Sequence, residues 1–405
     1  MSVVFVNRFY WPDETATAQL LTDLAEGLAA QGRAVTVITS RPPDQAACES
    51  RRGVRILRIG STRARGAGLP AKALDFATFF AGATARLLRA ARRGDAIVAL
   101  TDPPLIGAGA WLVARMRGAR CFHWVQDIYP EIALALTGRP ELRAFSPWRD
   151  RAWRGAAGCV TLGRNMAGVI ARAGVAPERI RVLANWAPAG LGPPGLDETG
   201  ALRAAWGLVG KFVVGYSGNF GRVHDLESVL GLAAVVADTP EIVFLFTGGG
   251  PQRLAAEEAA RRRNLGNVQF RPAQPRAALP ASLGVSDLHL VTLRPGCEEY
   301  VFPSKIYGIA AVGRPVLFLG PRACEPARVV ESAGFGRAFS PDRLPAAAAF
   351  LRGLCAAPAA GVALRAAALR FSAAAGGAPA AAAAWDEVLT GAAPPGVAAE
   401  SRPIL

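Results

Sequence analysis

The segment Glu298-Glu299-Tyr300-Val301-Phe302-Pro303-Ser304-Lys305-Ile306-Tyr307-Gly308 holds one of only three lysines in the chain. The other two are Lys72 and Lys211, whereas arginine is used 43 times. A lysine that resists such a bias points to a demand for a compact ammonium. Pro303 and Ser304, opening a helix, leave backbone N–H groups free to face an anion. Lysine adds a flexible point charge suited to phosphate, where arginine would offer a planar fork. A capped helix with a merely solvated lysine is the competing reading, and the residues weigh the two evenly.

Two further segments suit the same chemistry. Tyr216-Ser217-Gly218-Asn219-Phe220-Gly221-Arg222 follows one apolar run, and Thr247-Gly248-Gly249-Gly250-Pro251 closes another. Glycine-rich turns let phosphate approach the backbone, and Arg222 could hold its charge. Three consecutive glycines demand unusual backbone angles or close contact with a ligand. A tight turn explains each as well when taken singly. Together with Pro303-Ser304-Lys305 they are three turns at the carboxyl ends of parallel strands, where open α/β sheets bind ligands.

Nearer the N-terminus, Asn7-Arg8-Phe9-Tyr10-Trp11-Pro12-Asp13-Glu14-Thr15 is a long polar-aromatic loop. Thr15 is a candidate N-cap, and the three aromatics fit a substrate-facing rim better than an ordinary turn. Thr101-Asp102-Pro103-Pro104 takes the equivalent place after the fourth strand. Gln126-Asp127-Ile128-Tyr129-Pro130-Glu131 places two carboxylates at a strand end. Asp127 is the best candidate for hydrogen-bonding sugar hydroxyls. A helix N-cap, with Glu131 completing the first turn, is its competing role, and both can coexist.

The elements that must position these residues alternate strand with helix. Strands are expected at 2–7, 34–39, 54–59, 96–100, 121–126, 159–162 and 181–184, with helices at about 16–31, 71–93, 105–117 and 163–173. Near-continuous apolar strands between helices mean parallel sheets covered on both faces. Residues 186–200, dense in Pro and Gly, read as a linker. Strands resume at 212–216 and continue at 242–246, 268–270, 288–293 and 315–319. A chain of 405 residues suits two domains. The expected division is 1–185, a linker at 186–206, a second domain at 207–372, a helix at 373–391 packing back on the first domain, and a flexible tail at 392–405.

The formal net charge of +15 favours anionic partners: small phosphates or acidic lipid headgroups. Zinc knuckles and aromatic-interleaved basic strands are missing, so no nucleic-acid partner is expected. Phe76, Phe79 and Phe80 beside Arg86, Arg89, Arg92 and Arg93 could rest on an anionic membrane. A core helix whose arginines answer its dipole is slightly preferred. No run reaches a bilayer span and no signal-peptide pattern opens the chain, so a cytoplasmic location is expected. The six cysteines lack CxxC pairing and the three histidines are scattered, so free thiols and no metal are expected.

Together these segments resemble glycosyltransferase family 4 of the GT-B fold, most closely its bacterial O-antigen and colanic-acid branch with fucosyltransferase-like enzymes. The resemblance covers most of residues 1–340. It rests on Phe9-Tyr10-Trp11-Pro12 with Ala16-Thr17-Ala18-Gln19-Leu20-Leu21, on Thr101-Asp102-Pro103-Pro104, and on Val125-Gln126-Asp127-Ile128-Tyr129-Pro130-Glu131. Asn185-Trp186, Tyr216-Ser217-Gly218-Asn219, Gly248-Gly249-Gly250-Pro251, Pro303-Ser304-Lys305-Ile306-Tyr307-Gly308 and Gly313-Arg314-Pro315-Val316 extend it.

That family implies two Rossmann-like domains facing an interdomain cleft. A nucleotide-sugar donor is held by the C-terminal domain and an acceptor by the N-terminal one, with retention at the anomeric carbon and no metal or other cofactor. The acceptor expected is a glycan or polyprenyl-linked glycan, at the inner face of the cytoplasmic membrane. By the resemblance, Asp127, Arg222 and Lys305 carry the chemistry. Gly218, Asn219, Gly249, Gly250, Pro303, Ser304, Tyr307 and Glu325 bind the donor, and Tyr10, Trp11, Thr17, Asp102 and Glu131 face the acceptor. The chain departs from the family at three places. Gly308 stands where a second glutamate is usual, leaving Glu325 as the stand-in for the ribose contact. Asn219, Arg222 and His224 represent the usual basic pair, and Gln126 replaces a common histidine. A catalytically silent nucleotide-sugar-binding subunit and a GT-B epimerase are the rival readings.

Overall fold

The computed structural model describes residues 1–60 and 69–391; the tail expected at 392–405 lies outside the described residues. The chain divides into two compact units. The first comprises Met1–Asn185, Glu299–Val301 and the stretch from Ala378; the second comprises Trp186–Glu298 and Phe302–Gly377.

The first unit runs β1 (Ser2–Val6), α1 (Ala16–Ala30), β2 (Ala34–Ser40), β3 (Cys48–Arg51), β4 (Val54–Ile59), α2 (Leu69–Ala90), β5 (Ala96–Ala99), α3 (Ile106–Arg117), β6 (Arg120–Val125), α4 (Glu131–Thr137), α5 (Ser146–Arg154), β7 (Gly158–Thr161), α6 (Arg164–Arg172) and β8 (Ile180–Val182). Its sheet has the order β3-β4-β2-β1-β5-β6-β7-β8. Every pair is parallel except β3 with β4. The central strands are continuously buried because helices cover both faces, and β1 pairs with β2 on one side and β5 on the other. The order therefore reverses between β1 and β5, so the loops after those strands open at a switch point.

The edge strand β3 is absent from the sequence expectation. Its residues are polar and half-exposed, and it exists because a two-residue turn, Arg52-Gly53 (φ 46° and 80°), folds it onto β4.

The second unit runs α7 (Leu196–Ala205), β9 (Phe212–Asn219), α8 (Leu226–Val235), β10 (Ile242–Gly249), α9 (Arg253–Arg262), β11 (Val268–Arg271), α10 (Leu279–Gly284), β12 (Leu288–Thr292), α11 (Lys305–Ala311), β13 (Val316–Leu319), α12 (Glu325–Ser332), β14 (Gly336–Phe339), α13 (Leu344–Ala356) and α14 (Ala360–Ala375). All six strands are parallel, in the order β11-β10-β9-β12-β13-β14. The switch point lies between β9 and β12. Part of the stretch read as linker is helical: α7 has Asp197 and Glu198 in its first turn, where they oppose the helix dipole, and it packs on α10.

A last helix, α15 (Gly377–Thr390), follows a break at Gly376 and Gly377 and joins the first unit from Ala378. Trp385 meets Trp124 edge to face at 5.1 Å, and Arg33 clamps Asp386 through two hydrogen bonds of 2.6 and 2.8 Å. Among the described residues no single helix is long and apolar enough to cross a membrane. Trp385→Ala, which removes a fully buried ring, is expected to cost about 3–5 kcal/mol of first-unit stability, read as a lowered urea midpoint.

Candidate functional site

Lys305 opens α11 at the carboxyl edge of the second sheet. Its ammonium is buried and has no hydrogen-bond partner. The Nζ atom lies 3.8 Å from the centre of the Tyr216 ring, beside Gly218, where a Cβ would stand 3.7 Å from it. Tyr216 is fixed in turn by donating its hydroxyl to the Asn219 carbonyl at 3.0 Å. Burial drops Lys305 to about pKa 7, so it stands at the edge of losing its proton. A buried cation facing only a π-surface is a site for an anion.

The glycine turns divide by role. Gly248 (φ 137°) and Gly250 (φ 135°) are required by packing: a Cβ on the first would strike the Gly218 carbonyl, and one on the second would strike Asn219 and the Phe220 amide. Gly249 faces open space. The donor-facing part expected of Gly250 is thus already explained by the chain itself, whereas Gly218, Asn219 and Gly249 remain at an accessible surface. Arg222 is exposed.

His224 does not supply a second cation. It is buried, its Nδ1 lies 2.8 Å from the Thr292 carbonyl, and burial with Lys305 nearby lowers it to about 3. The carbonyl can only accept, so Nδ1 carries the proton and the ring is neutral. Two residues that sequence reasoning missed brace this loop. The Gln252 amide donates to the Gly221 and His224 carbonyls, at 2.5 and 3.1 Å, and Arg294 donates to the Gln252 side-chain oxygen at 3.0 Å. Gln252 follows Pro251 immediately, which was the one available signal.

Pro303 is buried and Ser304 half-buried at the N-cap of α11, where the serine side chain makes no cap bond. Tyr307 is not a surface ligand residue. It is fully buried, stacked between Phe302 and Phe371 at 5.9 Å each, because the first turn of α11 faces α14. Glu325 is buried in the first turn of α12 and accepts a 2.5 Å hydrogen bond from Arg328.

In the first unit the loops after β1 and β5 are joined. The Arg8 amide donates to the Asp102 carbonyl at 2.9 Å, and the guanidinium pairs with Asp102 at 3.0 Å and Asp75 at 2.9 Å. Burial nonetheless holds Asp102 above the usual carboxylate range. Asp127, after β6, has no such cation. Burial, with Asp102 adding its charge, raises it to about 6. The first-unit cavity beside it, shared with His123, Tyr129 and Arg149, holds about 30 Å³, the room of one water. Gln126 and the preserved Asn185 explain each other: their buried amides exchange two hydrogen bonds, at 3.2 and 2.9 Å.

Other acceptor-side expectations change. Tyr10 is buried in the core rather than on a rim. Trp11 is half-exposed and covered by Arg51, whose guanidinium carbon lies 4.6 Å from its ring centre. Thr17 is half-buried on α1, and the Thr15 side chain makes no cap bond. Glu131 is occupied by Arg149, itself buried and donating to the Tyr129 carbonyl at 2.9 Å, and by the Ser146 hydroxyl at 3.3 Å. In α2, Phe79 is buried in the core, Phe80 packs partly buried against it and Phe76 meets Arg8, the packing of a core helix.

Residues 15–186 match the glycosyl transferase 4-like domain. The chain is 28% identical over 381 residues to the Escherichia coli K12 protein described as putative colanic acid biosynthesis glycosyl transferase WcaI, covering 87% of this chain and 91% of that one. It is 26% identical over 281 residues to the probable glycosyltransferase WbjE of Pseudomonas aeruginosa, covering 67% and 68%. Among solved structures, Anabaena HepE in complex with UDP and glucose aligns with a TM-score of 0.74 at 17% identity, over 96% of this chain and 100% of that one. The fold is GT-B. Residues 15–186 are similar to the glycosyl transferase 4-like domain, and the chain is a glycosyltransferase enzyme.

Tyr307→Phe removes a hydroxyl that is buried without a partner. It is expected to leave both nucleotide affinity, by calorimetry, and melting temperature essentially unchanged, unlike a change at a true donor contact.

Proposed function

We propose that this glycosyltransferase moves a sugar from a nucleoside-diphosphate donor to a hydroxyl of a lipid-linked glycan during surface-polysaccharide assembly, with retention and without a metal. The observation that carries the donor side is the buried, unpartnered Lys305 ammonium beside Gly218 at the β9/β12 switch point. The UDP of the HepE complex and the colanic-acid assignment of WcaI support the nucleotide and the pathway class.

In this reading the donor diphosphate meets Lys305 and, through the exposed loop, Arg222. The C1–oxygen bond to the diphosphate breaks as the acceptor oxygen bonds to C1 on the same face. The acceptor proton passes to the leaving phosphate. Charge grows on that phosphate in the transition state, and a cation aimed at it speeds departure. Asp127, when ionised, accepts a hydrogen bond from a sugar hydroxyl. Glu325 is the proposed ribose contact.

Calorimetric titration of UDP and GDP tests this directly. One nucleotide is expected to bind the parent and to bind Lys305→Ala far more weakly, with turnover reduced about 100- to 1,000-fold. Binding of neither would remove the donor assignment. Turnover in excess EDTA is expected to be unchanged.

The pH profile follows from two groups. The active free enzyme needs Asp127 ionised, which is lost as pH falls through about 6. It needs Lys305 protonated, which is lost as pH rises through about 7. The kcat/KM profile is therefore expected to be a narrow bell. Lys305→Arg should move the alkaline limb upward, and Asp127→Asn should remove the acid limb. A diphosphate favours the charged lysine, so binding near pH 8 should take up a proton, read as a buffer-dependent calorimetric enthalpy.

A further inference from the structure

Large apolar side chains left exposed on one face, among uncompensated cations, are a docking surface. The first unit carries such a face on α3 and α5. Leu112 and Met116, one turn apart on α3, are 51% and 65% exposed. Trp148 on α5 is 69% exposed and Phe145, its N-cap, 48%. The two pairs form one surface because Trp111 lies between the helices. The Arg115 guanidinium of α3 lies 5.5 Å from the centre of its ring and that of Arg151 of α5 lies 5.9 Å away. A Cβ at Gly155 would strike the same indole. Arg115 stands next to Met116 and one turn from Leu112, and Arg151 one turn from Trp148.

The charge is one-sided. Residues 106–118 and 139–155 hold seven arginines against two acids, Glu141 and Asp150. Asp150 is already paired with Arg149 at 2.6 Å, so the exposed arginines have almost no local counter-charge. Trp and Phe with an apolar body, ringed by arginine, match the interfacial zone of a bilayer, where indoles settle at headgroup level and cations meet acidic lipid. Protein partners that cover apolar faces would be expected to supply carboxylates at fixed positions; a lipid surface supplies diffuse negative charge, which suits arginines spread over two helices.

We propose that this α3–α5 face seats the enzyme on an anionic lipid bilayer. The face differs from α2, where Phe79 and Phe80 pack in the core and Phe76 lies against Arg8. Its purpose, reaching a lipid-linked acceptor, rests on the function proposed above, but the surface itself does not.

The test is co-sedimentation of the full chain with phosphatidylglycerol-containing vesicles and with pure phosphatidylcholine vesicles, for the parent, Trp148→Ser and Arg115→Glu/Arg151→Glu. The parent is expected to bind anionic vesicles at least tenfold better than neutral ones, and each variant to lose at least tenfold. Vesicles with brominated acyl chains should quench parent tryptophan fluorescence more than that of Trp148→Phe. Unchanged binding by the charge-reversal variant would overturn the proposal. So would absence of vesicle binding, including the case where gel filtration shows a concentration-dependent dimer that Trp148→Ser abolishes, since the face would then join two copies. Nucleotide titration of the same variants separates the two readings: preserved binding with lost docking concerns this face alone, and failure of the parent to bind nucleotide concerns the donor site alone.

Discussion

An ammonium group buried without a carboxylate is the constraint around which the second unit's ligand edge is arranged. Moving one charge out of water costs several kcal/mol even after the protein relaxes. The face of Tyr216 returns roughly 0.5–2 kcal/mol of that by cation–π attraction. The balance is met by the lysine itself, which falls to about 7. Arginine has no such escape, because its guanidinium keeps its proton under all ordinary conditions. This accounts for a lysine persisting in a chain that otherwise chooses arginine. Other cations of the second unit show the alternative. Arg203 is filled by the Val285 carbonyl at 2.9 Å and Asp287 at 3.2 Å, and Arg253 by the Arg271 carbonyl and Glu257 at 2.9 and 2.8 Å.

The first unit presents the complementary problem. Its strand-end cation, Arg8, is neutralised by Asp75 and Asp102, and its carbonyl is held by Thr39 and Ser40 at 3.0 and 2.7 Å. Asp127 is left as the carboxylate that burial raises, near a second acid and without a cation. A group in that state gains most from neutral hydroxyl donors, which stabilise its charge without a further desolvated ion. In the proposed function the two strand edges therefore take opposite partners: a phosphate at Lys305 and hydroxyls at Asp127.

What the sequence made legible follows the same physics. Strands buried on both faces are continuous apolar runs, so β1, β2, β4, β5 and β6 could be read within a residue or two, as could the parallel order they imply. β3 carries no such run; only the Arg52-Gly53 turn marks it. β14 begins at Gly336, whose missing Cβ lets the Val316 carbonyl approach, and a four-residue strand with two inward positions gives little pattern. At the candidate site, residue type singled out Lys305, Gly218 and Asp127, and the structure places the Lys305 ammonium beside Gly218. Residue type misplaced Tyr10, Tyr307 and Glu131, whose roles depend on which way a helix or loop faces. Arg149 and Gln252 were missed because each acts through contacts distant in sequence.

The glycine at 308 shows how one departure from the family can be absorbed. A Cβ there would stand 3.2 Å from Leu191 Cδ2, so the position of the usual second glutamate is crowded by an apolar side chain of the same unit. A carboxylate in that place would have to push Leu191 aside. The chain instead carries its buried acid one strand further along, as Glu325 at the start of α12. There it lies in the first turn, at the positive end of the helix dipole, and accepts a hydrogen bond from Arg328. Tyr307, the neighbour of Gly308, still feels that charge. A helix start offers free backbone N–H groups that the interior of α11 lacks, and this is the physical argument for proposing Glu325 as the ribose contact.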